Sequence, residues 1–207
     1  IGAVTNCSDD LLWLDFITLH YLDETADESI LDLEAKFLPD PKTHQVTKGT
    51  IYDHCLRAID KVFTRFSPRG LPLIGECDWN DGLSHVGIHW KGESIWLGQF
   101  FYGILKRFSP YVRERDGERA NDYEKRAEDL KEAINKYGWD GEWYIGATRD
   151  DGRPLGSKIC DQGKIFLNTQ TWAILTNTAT PERAEVCMRS AEKHLYREYG
   201  PLLLTPA

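Results

Sequence analysis

The 207-residue chain is poor in basic residues and lacks long apolar runs. Lysine and arginine number 25 against 33 aspartates and glutamates, so the formal net charge is -8. Phosphate backbones require a basic surface, and this balance argues against a nucleic-acid partner. No apolar run reaches the roughly 20 residues that cross a bilayer, and no secretory signal stands at the amino terminus. The sequence predicts a cytoplasmic protein with no nucleic-acid and no membrane partner.

Metal and redox motifs are also missing. The five cysteines are widely spaced and include no Cys-x-x-Cys pair, which argues against a zinc or dithiol centre. Free thiols in a reducing compartment are therefore expected at all five. His85 and His89 lie four residues apart without a third ligand nearby in the sequence, so no metal is predicted. The cysteines are Cys7, Cys55, Cys77, Cys160 and Cys187.

The ends of the chain are unlike those of a complete protein. The sequence opens on Ile1, has its only methionine at Met188 and closes on the apolar stretch "YGPLLLTPA". We expect an internal piece of a longer chain.

Helical periodicity dominates what is present, and strand-like alternation is absent. Segment 93–112 is apolar over most of its circumference, which predicts a helix packed between two layers. Ser8 is a candidate N-cap for the first helix. Thr180, Pro181 and Gly200 are candidate boundary residues of the last. The sequence predicts an all-α fold whose helical segments are 8–25, 47–66, 93–112, 121–139, 165–179 and 180–200.

Two long connections, 67–92 and 138–164, separate these helices and are rich in tryptophan. Loops of this length without helical pattern are usually functional or disordered, and their aromatic content argues against disorder. The alternation of helices and long loops suits an α/α toroid with loops gathered around a pocket at one end.

The first of these loops contains "GECDWNDG", residues 75–82, with three carboxylates and an indole between glycines. Asn-Asp-Gly alone is ordinary turn chemistry. A calcium loop fails on register, because its required glycine would fall on Leu83. A sugar site is the third interpretation, since an indole is a platform for a pyranose ring and an adjacent acid can protonate a glycosidic oxygen. The tryptophans at 13, 90, 139 and 143 favour the sugar site.

Five blocks in order then resemble glycoside hydrolase family 94, the inverting phosphorylases of β-linked glucosides. The blocks are "SDDLLWL" (8–14), "TIYDHCLRAID" (50–60), "DWNDGLSHVG" with "KGESIWLGQF" (78–100), "GWDGEWY" (138–144) and "GKIFLNTQTWAIL" (163–175). The resemblance covers almost the whole chain. It implies that residues 1–207 are the central part of an (α/α)6-barrel catalytic domain. The flanking β-domains and the phosphate-binding residues beyond Ala207 would not be included.

The resemblance also implies roles for individual residues. Asp81 corresponds to the general acid and Trp79 to the indole beside the acceptor sugar. Asp10, with Asp9 as the lesser candidate, corresponds to the carboxylate that binds the donor sugar. The other expected substrate-binding residues are Asp78, Trp13 and Trp139. A structural role for Asp9 and Asp10, as acids that offset a helix dipole, remains open.

Inverting phosphorolysis needs only one catalytic carboxylate, because phosphate is already an anion and requires no base. Asp81 must stay protonated near neutral pH, and Asp78 beside it would raise its pKa. The reaction needs no cofactor, with inorganic phosphate as co-substrate, and a homodimer is expected for the whole protein. The D-W-N-D-G-L form and the K-G-E-S-I-W-L-G continuation resemble the cellobionic acid and β-1,2-glucan branches of the family more than cellobiose phosphorylase, and of these cellobionic acid is ranked first as the substrate.

Two alternatives remain. An inverting hydrolase on the same barrel needs a base, for which Asp10 or Asp140 is available. A carbohydrate-binding helical module would need neither acid nor base.

An incomplete barrel leads to a prediction for the isolated chain. Without the remaining helices, segments 93–112 and 165–179 should leave apolar faces uncovered. The isolated chain should then be prone to associate.

Overall fold

The computed structural model describes residues 7–40 and 42–206, apart from the side chain of Asp81. Within these residues six α-helices form, as the periodicity predicts. In chain order they are α1 (Leu12–Thr25), α2 (Ile51–Phe63), α3 (Ile95–Arg113), α4 (Gly117–Tyr137), α5 (Leu167–Leu175) and α6 (Pro181–Leu195).

Strands are short and pair only two at a time in the described part of the chain. Each has two or three residues, and every pair is antiparallel: β1 with β2, β3 with β4, β5 with β8, and β6 with β7. The strands are β1 (Glu34–Lys36), β2 (Lys48–Thr50), β3 (Ala147–Thr148), β4 (Pro154–Leu155), β5 (Ile165–Phe166), β6 (Tyr196–Arg197), β7 (Gly200–Pro201) and β8 (Leu204–Thr205).

Local sequence sets several helix starts through side-chain caps. The Thr50 hydroxyl accepts from the Asp53 amide at 3.1 Å, and the Asp53 carboxylate accepts from the Thr50 amide at 2.9 Å, which forms a capping box on α2. Thr180 caps α6, with Pro181 at its first turn. These bonds satisfy amides that have no partner within the helix.

Helix α3 is the centre of the fold. It packs against α1, α4 and α5, while α2 packs on α1 and α6 on α5. Thirteen of its nineteen residues are buried, including Phe100, Phe101 and Phe108, so the predicted position between two layers is confirmed. Among the described residues, no helix combines the length and apolarity needed to cross a bilayer.

Two predicted boundary residues are wrong for tertiary reasons, and α2 and α4 begin at Ile51 and Gly117 rather than at 47 and 121. Ser8 does not cap α1, because its hydroxyl donates to the Cys77 carbonyl at 3.2 Å; α1 begins at Leu12 without a side-chain cap. Helix α6 ends at Leu195 rather than near Gly200, because the chain then turns into the β6–β7 hairpin.

Among the helices, the most exposed large apolar side chains lie on α1 and α5. The expectation that α3 would leave apolar faces uncovered is wrong, since its neighbours already bury them. Ile17 on α1 is 64% exposed and Leu175 on α5 is 72% exposed. A cavity of about 440 Å³ between α1, α3 and α5 is lined by Phe16, Phe100, Leu175 and other residues.

The cysteines divide into one pair and three free thiols in the described chain. Cys7 and Cys77 form a disulfide, with Cα atoms 4.7 Å apart, so the prediction of five free thiols is wrong for these two. Spacing could not reveal the pair, because 70 residues separate its members. Cys55, Cys160 and Cys187 are free.

Asp15 is a buried acid on the inner face of α1. It is fully buried, and neither carboxyl oxygen has a hydrogen bond of ordinary geometry, although the Cys55 thiol offers a weak donor. Burial raises the pKa of the Asp15 carboxyl well above its usual range. A carboxyl group with a raised pKa favours the folded state at low pH and loses this contribution as the pH rises through the folded-state pKa.

We therefore expect Asp15→Asn to become increasingly stable relative to wild type as the pH rises from about 4 to about 8. Urea unfolding across this range, on the protein at its natural length, measures the difference. Asp27→Asn is the flat control: Ser29 and Tyr21 hold the pKa of Asp27 below its usual range, so its contribution to stability is constant between about pH 4 and about pH 8 and is lost only below about pH 4. A pH-independent difference for Asp15→Asn would contradict the assignment.

Candidate active site

The acidic turn, residues 78–81, lies in the first long loop, residues 67–92. This loop leaves the fold and returns to it at one place. The Ile74 amide donates to the Gly92 carbonyl at 2.9 Å, and the Ser94 amide to the Pro72 carbonyl at 3.0 Å. Residues 75–91 therefore form an excursion whose two ends are pinned together directly before α3. Such a loop is surface-exposed but positioned by the scaffold beneath it.

The second long loop, residues 138–164, binds the end of this excursion that precedes α3. The Asp150 carboxylate accepts from the amides of His89, Lys91 and Gly92 at 2.9, 2.9 and 3.0 Å. Gly87 approaches the backbone closely within the excursion, since a Cβ there would lie 2.9 Å from the Gly75 carbonyl oxygen. Both contacts fix the path of the chain after the acidic turn.

The acidic segment, residues 8–10, lies beside the acidic turn. The Ser8 amide donates to the Cys77 carbonyl at 2.8 Å, and Cys7 pairs with Gly75 in an isolated antiparallel bridge. The disulfide joins the same two segments. Residues 8–10 and residues 78–81, which are 68 or more positions apart in sequence, are thereby brought together.

Asp78 is buried at the base of the turn, with 4% of its surface exposed. Its Oδ2 accepts from the Ser94 hydroxyl at 2.7 Å and its Oδ1 from the Asn80 amide at 2.9 Å. Burial raises the pKa of Asp78 to about 6, helped by the nearby charge of Asp9 and opposed by the hydrogen bonds from Ser94 and Asn80. Both oxygens are thus engaged by the protein.

Asp9 is buried as well and binds the indole of Trp13, whose Nε1 donates to Asp9 Oδ2 at 2.7 Å. The Trp13 ring packs against Phe16 and Phe100, with centroids 5.5 and 4.9 Å away. Asp10 is half-buried and directly precedes Leu11, the N-cap of α1. Trp13 therefore joins the acidic segment to the aromatic core.

Trp79 is the exposed aromatic surface of the site. It is 48% exposed, and its ring centroid lies 6.0 Å from that of Trp96 at the first turn of α3. Asp81 follows at the start of a short 3-10 helix, Asp81–Leu83. The side chain of Asp81 lies outside the part of the chain that the structure describes. An exposed indole next to buried carboxylates is suited to a sugar, which has both apolar ring faces and hydroxyl groups.

Two predicted residues have other neighbours. The Trp139 ring packs 5.0 Å from Tyr144 and beneath the Arg183 guanidinium, at the end of α4. The Asp140 carboxylate accepts from the Ser157 hydroxyl at 2.9 Å and from the Lys158 amide at 2.8 Å. The structure brings Asp9, Trp13, Asp78 and Trp79 together. The described contacts of Trp139 and Asp140 are with the second long loop and α6.

Sequence reasoning missed the residues that support the turn from α3. Ser94 caps that helix by accepting from the Leu97 amide at 2.9 Å, and the pattern of serine before an apolar run could have identified it. The Glu93 carboxylate, 3% exposed, forms a two-pronged ion pair with Arg69. No local signal indicates this pair, which joins positions 24 residues apart.

Metal-binding clusters are not part of this arrangement. Within the described residues, no group of three or more histidine, cysteine, aspartate or glutamate side chains is placed to hold an ion. His85 has a positive φ of 69°, and its amide donates to the Glu76 carbonyl at 2.8 Å.

Comparison with solved structures supports the fold. The chain is similar to a GH78 family rhamnosidase of Bacillus sp. GL1, with a TM-score of 0.64 and 19% identity over 88% of this chain and 17% of that one. With the family match below, the prediction of an all-α chain that forms part of an (α/α)6 barrel is confirmed.

Curated relatives are similar over almost the whole chain. The cyclic beta-(1,2)-glucan synthase NdvB of Rhizobium meliloti (strain 1021) is 35% identical over 99% of this chain and 8% of its own length. Solabiose phosphorylase of Paenibacillus borealis is 35% identical over 96% of this chain and 25% of its own length. The chain therefore spans a quarter or less of these relatives.

The profile of the family described as "Glycosyl hydrolase 94 superfamily, catalytic domain" matches residues 1–207. This match covers every block on which the sequence resemblance rests. The chain belongs to the catalytic domain of the glycosyl hydrolase 94 superfamily.

Proposed function

We propose that the protein to which this chain belongs cleaves a β-linked glucoside by phosphorolysis with inversion, giving α-glucose 1-phosphate. One observation carries the proposal: the acidic segment 8–10 and the turn 78–81 meet beside a half-exposed indole, in a chain of this superfamily. The name of the relative solabiose phosphorylase supports phosphate as the co-substrate.

In the proposed reaction, a phosphate oxygen attacks the anomeric carbon while the bond to the glycosidic oxygen breaks. Asp81 donates its proton to that departing oxygen, and the proton that phosphate loses restores the acid through solvent. Trp79 offers its exposed ring to the acceptor sugar, and Asp10, with Asp9 behind it, binds hydroxyl groups of the donor sugar. General acid catalysis of this kind contributes about 10²–10⁴-fold in rate.

The substrate that we propose first is cellobionic acid, on the form of the D-W-N-D-G-L segment. Solabiose is the main competitor, because solabiose phosphorylase is among the relatives. Synthesis from α-glucose 1-phosphate with a panel of acceptors, measured on the protein at its natural length, separates the two. We also propose that the whole protein is a homodimer, which sedimentation can test; the Cys7–Cys77 disulfide does not support the predicted cytoplasmic location, since such bonds are rare in a reducing compartment.

Phosphate dependence tests the reaction class. We expect the protein at its natural length to release glucose 1-phosphate from a β-linked disaccharide only when phosphate is present. Equal turnover in phosphate-free buffer would instead indicate an inverting hydrolase. Its base would be Asp10 or Asp140, and Oδ2 of Asp140 accepts from the Ser157 hydroxyl and the Lys158 amide. Sugar binding without turnover in either buffer would indicate a binding module.

A further inference from the structure

We propose that Asp78 is a positioning residue, which holds the backbone of the acidic turn against the amino-terminal end of α3. Asp78 then supports the acidic turn from the protein interior, in place of the substrate contact that the sequence predicts. The kinetic part of this inference rests on the proposed function, whereas the structural part does not.

A hydrogen-bonded connection joins α3 to the acidic turn, and its fixed end is Ser94 at the start of α3. Ser94 is fully buried and lies at the N-cap, where its hydroxyl oxygen accepts from the Leu97 amide at 2.9 Å. The same hydroxyl donates its hydrogen to Asp78 Oδ2 at 2.7 Å. Its backbone amide is bound to the Pro72 carbonyl at 3.0 Å. Ser94 therefore cannot move without disturbing the start of a helix that is buried along most of its length.

The other end is the backbone of the turn itself. Asp78 Oδ1 accepts from the Asn80 amide at 2.9 Å, and Asn80 Oδ1 in turn accepts from the Gly82 amide at 3.1 Å. The Leu83 amide closes the turn on the Asn80 carbonyl at 2.8 Å. A continuous series of hydrogen bonds thus runs from α3 through Ser94, Asp78 and Asn80 to the 3-10 helix that begins at Asp81.

An ionised carboxylate suits this position because both of its oxygens accept. Protonation would turn one oxygen into a donor that faces Ser94 or Asn80, two groups that are themselves donors. The charged group that acts on Asp78 is Asp9 from the acidic segment, while Glu93, the residue before Ser94, is paired with Arg69. Burial, with a smaller contribution from the charge of Asp9, raises the pKa of Asp78 to about 6, so the connection should weaken as the pH falls through that value.

The inference is tested by Asp78→Asn and Ser94→Ala in the protein at its natural length, with Thr180→Ala as the matched control. Thr180 caps α6 by accepting from the Arg183 amide, so its loss also removes an N-cap but leaves the acidic turn untouched. We expect the two test variants to lower kcat about 10–100-fold, with KM for the glucoside changed less than about threefold, because small displacements of a reacting group have effects of this size. Thr180→Ala should keep the wild-type kcat.

Two further measurements separate positioning from general damage. The ratio of wild-type to Asp78→Asn kcat, in which the ionisation of phosphate cancels, should fall as the pH is lowered through about 6. Amide hydrogen exchange at Asn80 should become about tenfold faster in Asp78→Asn, since its carboxylate acceptor is replaced by a weaker, neutral amide oxygen; exchange at Gly82, whose amide is bound to Asn80 Oδ1, should become faster with it.

Unchanged exchange at these amides, or a kcat within twofold of wild type in Asp78→Asn, would overturn the inference. A raised KM with unchanged kcat would overturn it in favour of direct substrate binding. An equal loss of kcat in Thr180→Ala would overturn it in favour of a general stability effect. If the wild-type protein releases no sugar phosphate, the proposed function fails, while the exchange measurement still decides the role of Asp78.

Discussion

Asp81→Asn is expected to lower kcat for phosphorolysis of a disaccharide by about 10²–10⁴-fold. The amide has the shape of the acid but cannot give a proton to the departing sugar oxygen. A β-glucoside with a dinitrophenolate leaving group needs no such proton, so the same variant should turn it over at close to the wild-type rate. Steady-state kinetics with both substrates, at saturating phosphate, measures the contrast.

Asp151→Asn is a suitable control, because Asp151 is exposed and pairs with Arg153 at the surface. It should leave both reactions unchanged. If Asp81→Asn lost both reactions equally, the residue would be needed for structure or binding rather than as an acid. If it kept full activity on the disaccharide, the general acid would have to be sought elsewhere.

Arg69→Met is expected to destabilise the fold by about 3–5 kcal/mol. The substitution keeps an unbranched side chain near Tyr137, over whose ring the guanidinium lies at 5.1 Å, but removes the charge. Glu93, whose side chain is 3% exposed, would then be a buried carboxylate without its cation. Urea unfolding of the protein at its natural length measures the loss.

The matched control is Arg153→Met, which breaks an ion pair whose members are 73% and 48% exposed. Exposed pairs contribute about 0–1 kcal/mol, so little change is expected. Adding Glu93→Gln to Arg69→Met should restore part of the stability, because removing both charges costs less than removing one. Equal effects of Arg69→Met and Arg153→Met would show that burial of Glu93 does not matter.

The sequence predicted the parts of the fold that local chemistry decides. Helix α2 has its capping box within four residues, and α6 has Thr180 followed by Pro181. The start of α6 was predicted from these residues, whereas the start of α2 was placed at residue 47, although Thr50 and Asp53 carry a local signal for it. The central position of α3 followed from its nearly continuous apolar surface.

Long-range contacts decide the features of the fold that the sequence did not predict. The Ser8 hydroxyl binds a carbonyl 69 residues away, so a good capping residue is used for another contact. The burial of Asp15 could not be inferred from its place in the first turn of a helix, where acids are usually exposed.

In the candidate site, too, some features follow from the local sequence and others depend on long-range contacts. Its residue types were evident in the "DWNDG" segment, and the resemblance supplied their roles. The support by Ser94 was not evident, because it depends on how the excursion 75–91 returns to α3. Trp79 and Trp139 are the same residue type in similar loops, yet one is half exposed and the other is covered by Arg183.

The Cys7–Cys77 disulfide has a topological consequence. It closes a covalent ring whose two ends are 70 residues apart, and both α1 and α2 lie within it. A single peptide-bond cleavage anywhere inside the ring opens it without releasing a fragment. A protease that nicks the exposed chain between β1 and β2 would therefore leave the acidic segment attached to the acidic turn, and only a reductant would separate the pieces on a denaturing gel.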